Sequence, residues 1–181
     1  IALPGVAGDR IVLTGLRWSG LGFAWPQADT SWLRLHADRL QAERVDVQIA
    51  SDADAPPLAL PLDLTLPIEL DVDALHIGAL YATPLGATPL RDLDASVALG
   101  AERGAVHRLD RLGFAWDRIV VHGDARIGAA RPFAVEAKLS IEPGTANDSG
   151  ALAPFNASLT LHGPLERIAL QATLRGASNR A

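Results

Sequence analysis

Residues 133–141 read FAVEAKLSI. In an extended chain Phe133, Val135, Ala137, Leu139 and Ile141 fall on one side, and Ala134, Glu136, Lys138 and Ser140 on the other, because successive side chains of a strand point in opposite directions. The stretch therefore reads as a half-buried strand with one dry and one wet face. Working outward, the same alternation returns. Phe155, Ala157, Leu159 and Leu161 oppose Asn156, Ser158, Thr160 and His162, and Ile168, Leu170, Ala172 and Leu174 oppose Arg167, Ala169, Gln171, Thr173 and Arg175. Upstream, Val45, Val47 and Ile49 alternate with Arg44, Asp46 and Gln48, and Leu66, Ile68, Leu70 and Val72 with Pro67, Glu69, Asp71 and Asp73.

About eleven such segments follow one another at the spacing of an antiparallel all-β domain. Turn residues punctuate them: Pro4-Gly5, Ser19-Gly20, Thr83-Pro84, Gly100, Pro143-Gly144 and Gly163-Pro164. Two longer interruptions, Ser51–Pro61 and Glu142–Pro154, read as loops, the first of them a subdomain seam within a single unit spanning residues 1–181. Leu33, Ala37, Leu40 and Arg44 also fit a helical spacing, but Leu33, Leu35 and Ala37 alternate, and the segment is read as strand.

The composition narrows the function classes. Apolar residues make up 49% of the chain, enough for a real core, and no run approaches the length of an apolar membrane-spanning helix. A net charge of −5 with scattered basic residues excludes a nucleic-acid partner, which needs a concentrated positive field. With no cysteine there is no disulfide, thiolate metal site or cysteine nucleophile. No nucleophile elbow, phosphate-binding glycine loop or His-Glu-x-x-His occurs, so no catalytic residue, cofactor or metal is assigned and the chain is read as a non-enzyme. The absence of Met, and of a signal peptide at Ile1, leads us to expect a piece of a longer protein.

The pentapeptide LGFAW occurs twice, at Leu21–Trp25 and Leu112–Trp116, and holds two of the four tryptophans and two of the four phenylalanines. Each copy is followed by a His-x-Asp, His36-Ala37-Asp38 and His122-Gly123-Asp124, which marks a duplicated strand–turn–strand unit. If the two units paired, both imidazoles and both carboxylates could converge on a metal such as zinc. The plainer reading assigns these four residues to the polar faces of their strands. Glu69, Asp71 and Asp73 likewise read as a solvated acidic face.

LPIELDVDALHIGAL (Leu66–Leu80) resembles the Pro-punctuated strand pairs of the TamB family, inner-membrane-anchored subunits of the translocation and assembly module. GDARIGAARPFAVEAKLSI (Gly123–Ile141), GPLERIALQATLRG (Gly163–Gly176) and WLRLHADRLQAERVDV (Trp32–Val47) are similar to that family's strand and turn phrases, the last also to those of the broader AsmA-like group. The resemblance implies an all-β chain whose long, curled, mostly antiparallel sheet forms a taco-like trough with an apolar interior. A closed β-sandwich or barrel is the alternative that the one-sided strands allow. It further implies the periplasmic part of an inner-membrane-anchored protein, phospholipid acyl chains as partners, a TamA-like outer-membrane partner, and roles in lipid transport between the two membranes and in outer-membrane protein assembly. A structural or chaperone module that guides outer-membrane strands by edge pairing is the second reading. A metal- or sugar-binding sandwich is the third, and the pentapeptide aromatics argue against it by sharing parity with Leu. Parity and resemblance together place Leu21, Phe23, Trp25, Leu112, Phe114, Trp116, Phe133, Val135, Leu139, Phe155, Leu159, Ile168 and Leu170 on the lipid-facing groove.

Overall fold

The computed structural model describes residues 2–4, 10–25, 33–49, 61–144 and 153–176. The seam expected at 51–61 falls, except for Pro61, outside the described residues. Among the described residues twelve strands form one sheet: β1 (Ala2–Pro4), β2 (Arg10–Thr14), β3 (Arg17–Ser19), β4 (Gly22–Ala24), β5 (Leu33–Gln48), β6 (Ile68–Ala82), β7 (Leu90–Gly100), β8 (Val106–Trp116), β9 (Ile119–Gly128), β10 (Ala134–Pro143), β11 (Phe155–Pro164) and β12 (Ala169–Gly176). The path runs β1-β2-β5 and then in chain order to β12, with β3 and β4 stacked end to end beside β2 along the long strand β5.

The curled, taco-like trough expected from the sequence is not what forms. The sheet is open and mixed: β5 and β6 run parallel, and every other pair is antiparallel. Nor does it close into a barrel, since β1 and β12 end the path at opposite edges. The extensive strand contacts are all between hydrogen-bonded neighbours in this one layer. At the β12 edge Leu170 and Leu174 remain 64% and 73% exposed, so no facing strand wraps over them. Alternation reports which side chains share a face. The path of a sheet is set by pairing order, twist and bulges, which alternation does not carry.

The parallel pair follows a rule of its own. Apolar residues on the dry face of β5 stand at Leu33, Leu35, Ala37, Leu40, Ala42, Val45 and Val47, and on that of β6 at Ile68, Leu70, Val72, Leu75, Ile77, Leu80 and Ala82. From Leu35 and Leu70 onward each set advances by two and then by three, a five-residue step, and the constant register offset (Leu35↔Leu70, Leu40↔Leu75, Val45↔Leu80) pairs the two sets one to one. The extra residues fall together, Asp38 with Asp73 and Glu43 with Gly78, and both positions drop out of the ladder. At the second step a Cβ on Gly78 would come within 2.8 Å of the Glu43 carbonyl oxygen, so glycine is required there.

Both steps continue into the neighbouring strands. Gly15 and Gly20, each with φ +66°, break the chain between β2 and β3 and between β3 and β4, against the side chains of Glu43 and Asp38 respectively. Asp92 in β7 and Arg111 in β8 take left-handed φ of 50° and 53° where their ladders slip. Two lines of irregularity therefore run through the first part of the sheet, one from Gly20 through 38/73 to Arg111 and one from Gly15 through 43/78 to Asp92, while the registers from β9 to β12 are unbroken. They restore the dry face each time straight alternation would lose it.

Candidate functional site

The registers fix one apolar face from strand to strand, because cross-strand partners point the same way. Phe23 lies opposite Leu35, which lies opposite Leu70, which lies opposite Leu99. Further along, Leu90 faces Trp116, Phe114 faces Val121, Val121 faces Ile141, Leu139 faces Leu159, and Leu161 faces Leu170. The centre of this face carries small buried residues, Ala37, Ala42, Ala95 and Ala137, flanked by larger ones. Its margin is open: Phe23 is 70% exposed and Trp25 79%, with Trp18, Leu21, Ile168, Leu170 and Leu174 also exposed. Beside Trp116, a shallow hollow of about 320 Å³ is lined by Thr88, Asp117, Arg118 and Ile119.

Leu112, Phe114, Trp116, Val135, Leu139, Phe155 and Leu159 sit in strands on this face, with Phe23 in β4. Leu21 and Trp25 flank β4, and Ile168 precedes β12. Phe133 stands apart. It precedes β10 with a left-handed φ of 52°, donates its N–H to the Ala130 carbonyl at 2.8 Å, and is 1% exposed beneath the Arg131 guanidinium, 5.8 Å from its ring centre. It anchors the turn into β10, and its side chain is not available at a surface.

The two copies of LGFAW occupy equivalent places. Gly22 pairs with His36, and Gly113 with His122. A left-handed residue precedes each copy, Gly20 in the first and Arg111 in the second. The His-x-Asp pairs do not converge, however. His36 and Asp38 lie on β5 and His122 and Asp124 on β9, with three strands between. His36 meets Asp73 of β6 instead.

The opposite face is polar and held by ion pairs. Arg44 is bonded to Asp46 at 2.6–3.0 Å and stacks 4.1 Å over the Tyr81 ring. Its two-pronged hydrogen bond draws the Asp46 carboxyl below the usual carboxylate range. Arg126 holds Glu136 in the same way, at 2.9 and 3.0 Å, and lowers its pKa. Glu69 is buried, pairs with Arg34 across the parallel ladder and accepts the Arg103 backbone N–H at 3.0 Å from the left-handed turn at Gly100–Gly104. His107 bridges the same end: its Nδ1 accepts the Gly100 N–H at 3.0 Å, which leaves Nε2–H to donate to the Leu64 carbonyl at 2.9 Å. Sequence reading found no role for this histidine. Its position on the apolar side of β8, in phase with Leu109, was the available signal.

Among the described residues no helix is long and apolar enough to cross a membrane. No family of known proteins, no curated protein and no solved structure matches the chain.

Proposed function

We propose that the apolar face of the sheet is a contact surface for phospholipid acyl chains, and that the chain is a periplasmic segment of a TamB-like protein anchored in the inner membrane. One observation carries this reading. The apolar residues run without a break from Phe23 to Leu174, and among the described residues no second layer of strands packs on them. An apolar surface of that extent is unfavourable in water by roughly 25 cal/mol per Å² and is characteristic of a binding face. Acyl chains suit it because the middle of the face is built mainly from aliphatic side chains, with tryptophans toward its margin. In this role the parent chain would work with a TamA-like outer-membrane partner in moving lipid and supporting outer-membrane protein assembly.

A photo-crosslinking residue at Leu139, with Lys138 as the opposite-face control, tests the proposal within the parent chain in a diderm bacterium. Phospholipid adducts at 139 and none at 138 are expected. Protein adducts alone at 139 would overturn the lipid reading.

A second reading rests on β12. All eight of its residues are exposed, and among the described residues it pairs with β11 alone. Such an edge can accept an incoming strand by main-chain pairing, the interaction a guide for outer-membrane strands would use. Crosslinks from Thr173 to unfolded outer-membrane protein, without lipid at 139, would favour it.

A further inference from the structure

We propose that His36, Asp38 and Asp73 form a binding site for one divalent transition-metal ion, with zinc the ion their ligand atoms suit. The site exists because of the first bulge line. His36 and Asp38 are two apart on β5 and share its polar face, and the step that removes the 38/73 pair from the ladder brings the Asp73 side chain in from β6. His36 Nε2 lies 3.1 Å from an Asp38 carboxylate oxygen and 3.8 Å from one of Asp73, and the three ligand atoms all lie within 4.8 Å of one another.

The 3.1 Å separation matches a single coordination shell and the 3.8 Å separation is somewhat wider than one. Two ligands each about 2.1 Å from a metal, at angles of about 90–110°, stand about 3.0–3.4 Å apart. Rotations of exposed side chains close the remainder. The donor set, one imidazole nitrogen and two carboxylates, discriminates among ions: magnesium and calcium take oxygen ligands alone, whereas imidazole suits zinc and its first-row neighbours. All three side chains are open to solvent, so water would complete the shell.

Charge points the same way. Asp38 and Asp73 occupy matching positions on adjacent strands, an unfavourable opposition of like charges. Among the described residues neither carboxylate pairs with a lysine or arginine. The nearest guanidinium contact, from Arg111, goes to the Asp73 backbone carbonyl at 2.7 Å. Gly20 leaves the Asp38 carboxylate its space, since a Cβ at that position would collide with it. A bound cation would neutralise the opposition and clip together the one parallel pair of the sheet.

Titration calorimetry with zinc chloride on the 181-residue chain tests the site, alongside thermal melts followed by circular dichroism. About one zinc per chain is expected, with a rise in Tm as zinc increases. His36→Ala and Asp73→Asn, both at exposed positions, should each weaken binding about tenfold or more and remove the Tm shift. His122→Ala, at the equivalent histidine of the second LGFAW unit, should bind as the parent does. Absence of saturable binding up to about 1 mM zinc, or unchanged affinity in either His36→Ala or Asp73→Asn, would overturn the assignment.

Discussion

Gly113 stands directly across the β8–β9 ladder from His122, and a Cβ at residue 113 would lie 3.2 Å from the imidazole Nδ1. The LGFAW glycine is therefore the floor on which the following histidine rests. Its neighbour on β9 is more tightly held: a Cβ on Gly123 would run into the Lys138 carbonyl oxygen and the Leu139 side chain. Gly123→Ala is expected to cost about 1–3 kcal/mol by overpacking, and Gly113→Ala less, because the His122 ring can turn aside. Urea unfolding of both variants checks the order, and equal losses would contradict it.

Glu69 joins β6 to Arg34 on β5 and to the turn after β7. Glu69→Ala removes both contacts and leaves the Arg103 N–H without its acceptor, a loss of about 1.5–3 kcal/mol. Glu69→Gln keeps an acceptor and should recover part of it. A chemical-denaturation series that ranked Gln below Ala would refute the role given to this carboxylate.

His107 ties Leu64 to Gly100 through its two ring nitrogens. His107→Phe preserves ring size and removes both hydrogen bonds, with an expected cost of about 1–3 kcal/mol. Amide exchange should be faster at Gly100 in this variant, while β11 and β12 keep their protection.

Asp46 and Glu136 have lowered pKa values because Arg44 and Arg126 hydrogen-bond their ionised forms. A carboxyl depressed in the folded state contributes stability that is fully present above its unfolded pKa and lost as pH falls through the folded one. Stability should therefore decline on acidification through and below the ordinary carboxylate range. Asp46→Asn and Glu136→Gln should each flatten that decline, modestly, because both pairs face solvent and are screened by salt. Acid titrations of the variants that superimpose on the parent curve would count against it.

Leu170→Ser and Leu174→Ser alter exposed positions of the apolar face and should change stability by no more than about 0.5 kcal/mol. Leu139→Asp places a carboxylate at its centre, where desolvation would be costly. With fold verified by circular dichroism, all three should reduce phospholipid co-purification, Leu139→Asp most strongly. Retention of lipid by a folded Leu139→Asp protein would remove the basis of the proposed surface.

The strands and the sidedness of the sheet were legible in the sequence because hydrophobic alternation follows directly from the two-residue period of an extended chain. FAVEAKLSI and its neighbours became β10, β11 and β12 for that reason. Curvature was not legible, because the same alternation serves a flat, curled or closed sheet. The parallel β5–β6 pair was readable in principle: the dry-face apolar positions of the two strands coincide at an offset of 35 residues. The three-residue gaps, however, resemble helical spacing, and Leu33, Ala37 and Leu40 invited that reading. Phe133 carried the right parity, but the turn before it reversed its backbone, and parity has no meaning across a left-handed residue. His36 was recognised with Asp38 in sequence. Its meeting with Asp73 depended on a strand order that a local motif does not contain.

The five-residue step gives the sheet a natural unit of length. Each unit advances a strand by roughly 15–17 Å and returns every side chain to its own side. Inserting one such unit, bulge included, into each of the neighbouring strands β5 and β6 would lengthen the pair without inverting it, whereas one extra residue in a single strand would turn its far end inside out. Size can thus grow along two independent axes, by adding strands or by lengthening the parallel pair in bulged pentads.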